Sequence, residues 1–132
     1  MDELNAFWPH YLSHHRHRAN RAMHDIADVL VIAWFACGLA TGRPLLVAVG
    51  AGLGYAIVFA SHFLIEQNTP LTFEHPVLAG ASNWRMFALM VGGRLDREFE
   101  RHRLVQYGDA PWGPAAIRSR LLRATKRVVG GR

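Results

Sequence analysis

Cysteine is nearly absent: the 132-residue chain has one, Cys37, inside an apolar run. No disulfide can form within the chain, and a zinc site built on several thiolates is excluded. The opening MDELNAFWPHY has two acids, no basic stretch and no apolar core, so it does not read as a secretory signal, and insertion into a membrane is expected to use an internal, uncleaved helix. Internal repeats, low-complexity tracts and recognisable nucleic-acid-binding motifs are missing too. Despite a net charge of +5, no nucleic-acid partner is therefore expected. Charge itself is missing from the middle, where positions Val29 to Ile65 hold only Arg43. The near-zero mean hydropathy is thus an average over charged ends and an apolar centre.

Two apolar runs fill that centre. Leu45 to Ile65 is about as long as the roughly 20 residues a spanning helix needs, while the run from Val29 to Ala40 inside Ile26–Thr41 is shorter. Only Gly42, Arg43 and Pro44 separate them, a helix stop followed by a helix start, which predicts a tight antiparallel hairpin. Gly38, Gly42, Gly50 and Gly54 are spaced to let the two backbones approach closely. Asp2 to His24, with Phe7, Trp8, Pro9 and Tyr11, reads as an interfacial helix with Pro9 in its first turn and the aromatics at headgroup level. The segment from Gln67 to Asn83 reads as an ordered loop, Trp84 to Arg103 as a helix, and Ala115 to Val129 as a basic amphipathic helix suited to an anionic membrane surface.

The expected fold is all-α: an integral membrane helical hairpin with an interfacial N-terminal helix and cytoplasmic C-terminal amphipathic helices. It divides into a histidine-containing membrane domain, 1–104, and a basic tail, 105–132. Arginines before the first apolar helix and after the second place both termini in the cytoplasm. The compact chain suggests a bacterial inner membrane. A soluble basic domain would instead need Leu45–Ile65 to be a buried core helix.

Histidine is in excess: there are eight, five of them between His10 and His24. His62 closes the second apolar helix, where a polar group is costly without a partner or a purpose. Glu66 follows it at i, i+4, on the same face of an α-helix, and reads either as a metal ligand or its acceptor, or as one half of a plain hydrogen bond. The hairpin brings His24 and His62 to one edge. A nitrogen-rich set with a carboxylate suits Fe(II), and zinc takes the same ligands. His10, His14, His17 and His102 read as ordinary interfacial polar residues.

The run Tyr11-Leu12-Ser13-His14-His15, then Asn20-Arg21, His24, His62-x-x-x-Glu66-x-x-x-Pro70, Phe73-Glu74-His75-Pro76 and Arg85-Met86-Phe87 resembles the fatty-acid α-oxidation dioxygenase family typified by the yeast 2-hydroxy fatty acid dioxygenase, in its bacterial branch. The resemblance covers roughly residues 7 to 100. It implies Fe(II) held by His15, His24 and His62, with His75 matching a bacterial-branch histidine. It implies catalytic roles for Glu66 and Arg21, and substrate contacts from Arg85 and Asn68. Both arginines also read as cations reaching from the membrane surface. The implied reaction shortens a 2-hydroxy fatty acid by one carbon with O2, in the lipid bilayer.

The chain departs from its relatives at Ala27 and Asp28, where a glycine is common nearby, and at Asn83, where an aspartate is usual. It also has Arg18 where yeast-type relatives carry a proline, so a break between His15 and His24, needed to bring both to one metal, is not evident. The competing class is a non-catalytic membrane hairpin that pairs with itself, as a homo-oligomer, or with a partner.

Overall fold

The computed structural model describes residues 1–108; the basic helix expected at 115–129 lies outside them. The described chain is helical throughout: α1 (Asp2–Ser13), α2 (Arg18–Thr41), α3 (Pro44–Ser61), a π-helical turn (His62–Glu66), a 3-10 turn (Leu71–Phe73), α4 (Pro76–Val91) and α5 (Leu95–Arg101). The all-α expectation holds.

α2 and α3 form the hairpin. Gly42 ends α2 in the left-handed region (φ 64°), its N–H and that of Arg43 returning to the carbonyls of Leu39 and Gly38, and Pro44 opens α3. Small residues let the helices touch: a methyl group added at Gly50 would overlap Trp34, and one at Gly54 would overlap Val31. At 24 and 23 residues, Arg18–Thr41 and Pro44–Glu66 are long and apolar enough to cross a membrane, each spanning about 35 Å at 1.5 Å per residue. Their outer sides stay apolar and exposed at Ile32, Phe35, Leu39, Leu45, Val49 and Leu53.

The N-terminal region differs from its expectation in three ways. The Asp2–His24 stretch is two helices, because the chain breaks at 14–17 and residues 18–24 become the first turns of α2, so the first long helix starts well before Ile26. Pro9 lies inside α1 rather than in its first turn, because that helix already starts at Asp2. Phe7, Trp8, Tyr11 and Leu12 do not sit at a surface; they form the core with Leu71, Ala79, Met86, Leu95 and Phe99. Trp8 is 1% exposed, and its indole N–H donates to Glu98 Oε2 at 2.8 Å. A second apolar face, that of α4, attracts these aromatics.

Two further boundaries move. The segment expected to be loop as far as Asn83 is helical from Pro76, since Pro at the first position suits a helix start. The helix expected over Trp84–Arg103 is broken at Gly92 and Gly93, the latter with φ 65°, into α4 and α5.

Candidate metal centre

The break at 14–17 builds the site. His17 caps α2 by accepting from Ala19 N–H through Nδ1 at 3.1 Å. Glu66 accepts from the backbone N–H groups of Arg16 (2.9 Å) and His17 (3.0 Å), from Asn20 Nδ2 (3.1 Å) and from the Tyr107 hydroxyl (3.0 Å). Arg21 donates to the carbonyls of His15 (2.8 Å) and Arg16 (3.0 Å) and lies over the Phe99 ring at 4.6 Å. The linker is therefore clamped from both sides, and His15 is turned off the helix axis into the core.

There it meets the other two histidines. Ligand nitrogens of His15, His24 and His62 all lie within 4.8 Å of one another, and all three residues are buried. Each ring has its Nδ1 bound to an acceptor at 2.7 Å: His15 to the Tyr11 carbonyl, His24 to Asn83 Oδ1, and His62 to Asn68 Oδ1. Both amides are oriented by acceptors on their far side. Asn83 Nδ2 donates to Asp28 Oδ1 at 2.7 Å, and Asn68 Nδ2 donates to the His14 carbonyl at 3.0 Å. The oxygens must then face the histidines, so each Nδ1 carries the proton and each Nε2 presents a lone pair.

These lone pairs converge. His24 Nε2 and His62 Nε2 are 3.2 Å apart, and His15 Nε2 is buried with no hydrogen-bond partner among the described residues. Two acceptors at that separation repel unless a cation lies between them, and a buried lone pair without a donor is costly. Three Nε2 atoms, each backed by a carbonyl-type acceptor on the opposite nitrogen, are the arrangement metal-binding histidines adopt. The donor set fits a divalent transition metal. Burial, with the neighbouring His24 and His62, holds the His15 imidazole well below its usual pKa, so it stays neutral as a ligand must.

The remaining residues expected at the site fall elsewhere. Glu66 follows His62 in sequence but does not join it, because the π turn separates the two directions; Asn68 Oδ1, not Glu66, accepts the hydrogen bond from His62 Nδ1. π turns of this kind recur at functional sites. His75 is exposed at the start of α4, its ring edge-on to Phe7 at 5.4 Å, and is not part of the histidine group. Arg85 stacks on Trp8 at 4.4 Å and donates to Asn5 Oδ1.

A cavity of about 170 Å³ ends on the histidines. Its polar end holds Tyr11, Asp28 and Asn83 beside them, and its far wall is Val31, Ala51, Gly54, Tyr55 and Val58 between α2 and α3. Neither Arg21 nor Arg85 lines it; Arg21 borders a separate cavity with Arg18, Asp25 and Asp96. Three residues beside the histidines are not legible as site residues in the sequence: Asn83 and Asp28, which stand there only as departures from relatives, and Tyr11. Tyr11 stacks on His15 at 4.0 Å, and burial together with the charge of Asp28 pushes its hydroxyl pKa well up.

Fold and site define an all-helical protein with a membrane-length hairpin and a buried three-histidine centre. A family model described as 2-hydroxy-palmitic acid dioxygenase Mpo1-like matches residues 1–95, and the chain belongs to that family. No curated protein and no solved structure matches it significantly.

Proposed function

We propose that the protein is a membrane-bound, Fe(II)-dependent dioxygenase that shortens 2-hydroxy fatty acids by one carbon. The observation that carries this reading is the set of three Nε2 lone pairs converging on a cavity whose wall between α2 and α3 is mostly apolar. The family description supports a 2-hydroxy fatty acid as substrate. The apolar outer sides of α2 and α3 suit insertion in a bilayer, with both termini cytoplasmic in a bacterial inner membrane.

His15, His24 and His62 would hold the metal, which would supply the one-electron chemistry that O2 needs and a Lewis-acid partner for the acid's oxygens. The protein's own residues do the rest. Asn68, Asn83 and the Tyr11 carbonyl keep the three imidazoles in one tautomer. The Val31, Ala51 and Val58 wall takes the first part of the acyl chain and excludes water from the polar end. In overall balance, the 2-hydroxy acid and O2 yield the acid one carbon shorter, carbon dioxide and water, with all electrons for O2 drawn from the two carbons at the carboxyl end.

The test is metal analysis of detergent-purified protein prepared without air, followed by turnover of 2-hydroxyhexadecanoic acid. Roughly stoichiometric iron and a C15 product are expected, both lost in His62→Ala. Full turnover in that variant, or protein that takes up zinc but never iron, would sink the reading.

A further inference from the structure

Asp28 lies one helical turn beyond His24 on α2 and is 5% exposed. Its Oδ1 accepts from Asn83, but its Oδ2 is buried with no hydrogen-bond partner among the described residues. The residue lines the cavity at its polar end, beside Tyr11, Asn83 and His24. A buried carboxylate oxygen without a donor is costly, and the cost is relieved by whatever brings an O–H to it. Among the described residues no arginine or lysine lines this cavity, and Asp28 is the one carboxylate in its lining. A ligand carboxylate placed against Asp28 would meet like charge. A ligand hydroxyl would supply the missing donor.

The geometry points to Asp28 as the residue that reads the substrate's 2-hydroxyl group: Oδ2 accepts the hydroxyl hydrogen, and the ligand's carboxylate is turned away from Asp28 toward the histidines. This inference rests on the fatty-acid reading above and deepens it. The ligand class is a single-chain acid with a hydroxyl on the carbon next to the carboxylate. A site built to hydrogen-bond a hydroxyl rejects the analogue that lacks it, because its own polar group is then left unpaired. The same carboxylate also sets Asn83, and through it His24, so the group that reads the hydroxyl belongs to the chain of contacts that orients a histidine.

Binding is measured by calorimetry on the metal-containing protein in detergent under argon, where no turnover occurs, with 2-hydroxyhexadecanoic, hexadecanoic and 2-methoxyhexadecanoic acids. The wild-type protein should prefer the hydroxy acid over the unsubstituted acid by about ten- to a hundredfold, the range for a hydrogen bond to a charged group. The methoxy acid, which keeps the oxygen but has no hydrogen to donate, should bind no better than the unsubstituted one. In Asp28→Asn, where an amide NH2 replaces Oδ2, either ligand oxygen can accept, so the preference for the hydroxy acid over the methoxy acid should collapse to about one. A purely structural role would weaken all three acids together and leave the ratio intact, which would overturn the assignment. Equal binding of the acids by the wild-type protein, or tight binding of the methoxy acid, would overturn it as well, without the need for any variant. If none of the three acids binds, the fatty-acid reading itself falls, and this inference with it.

Discussion

His24 and His62, 38 residues apart in sequence, face each other through Nε2 at 3.2 Å, each with its other ring nitrogen donating to an asparagine oxygen. A proton shared between the two Nε2 atoms would leave both Nδ1 contacts in place but would make a buried imidazolium, which burial disfavours, so a metal cation held by all three histidines is the better occupant. Replacing His24 with alanine should abolish stoichiometric metal retention while α1, α4 and α5 keep their packing. Metal analysis beside circular dichroism checks both halves, and full metal content in the variant would remove this centre from consideration.

Asn68 and Asn83 orient their histidines without being ligands. Asn68→Ala and Asn83→Ala should each weaken metal affinity by about 10- to 100-fold, as the loss of such partners typically does. Asn68→Asp, which retains an acceptor, should lose less. Competition with a chromophoric chelator gives the numbers, and unchanged affinity in both alanine variants would show that the tautomers are set some other way.

Glu66 acts on the backbone. Removing its carboxylate strips the acceptor from Arg16 N–H, His17 N–H and the buried Asn20 amide, and unsatisfied buried donors cost about 1–3 kcal/mol each. Glu66→Ala should therefore lower the thermal unfolding midpoint clearly, with Glu66→Gln intermediate. A variant with the wild-type melting curve would mean that the 14–17 linker is held without it.

The pH dependence follows from His15. Its folded pKa is well below the usual value, whereas in the unfolded chain it titrates near 6.5. Between these two values the unfolded state binds the extra proton, so the His15 contribution to stability is constant above about pH 6.5 and is lost as the pH drops below it. Thermal unfolding of chelator-treated protein from pH 8 to pH 5 should show this slope, and His15→Gln should flatten part of it. A slope of equal size in that variant would place its origin elsewhere.

At Gly50, a side chain would run into Trp34. Gly50→Leu should spread the hairpin and destabilise it by about 1–3 kcal/mol, the usual cost of overpacking, whereas Gly52→Leu, at a position with open space around it, should be tolerated. Equal stability of the two variants in detergent would contradict the close approach of α2 and α3.

The hairpin, and the meeting of His24 and His62 at one edge of it, are legible along the chain from an uncharged run, a Gly-Arg-Pro stop and start, and histidines at the ends of apolar helices. Ordered short motifs lead to the family, and only that resemblance adds His15 to the set. How the histidines are supported is set by contacts between distant segments. The break at 14–17 carries no proline or glycine, because it is imposed by Glu66 from 50 residues away and by Arg21 from the next helix. The i, i+4 spacing of His62 and Glu66 suggested a pair, but a π turn sends the two side chains to different tasks. Asn83 and Asp28 gained a role only when α4 was laid against α2, since a hydrogen bond between residues 55 apart leaves no periodic trace along the chain. Burial likewise reassigned Phe7, Trp8 and Tyr11 from a membrane surface to a core, because an amphipathic helix shows which face is apolar but not what that face will meet.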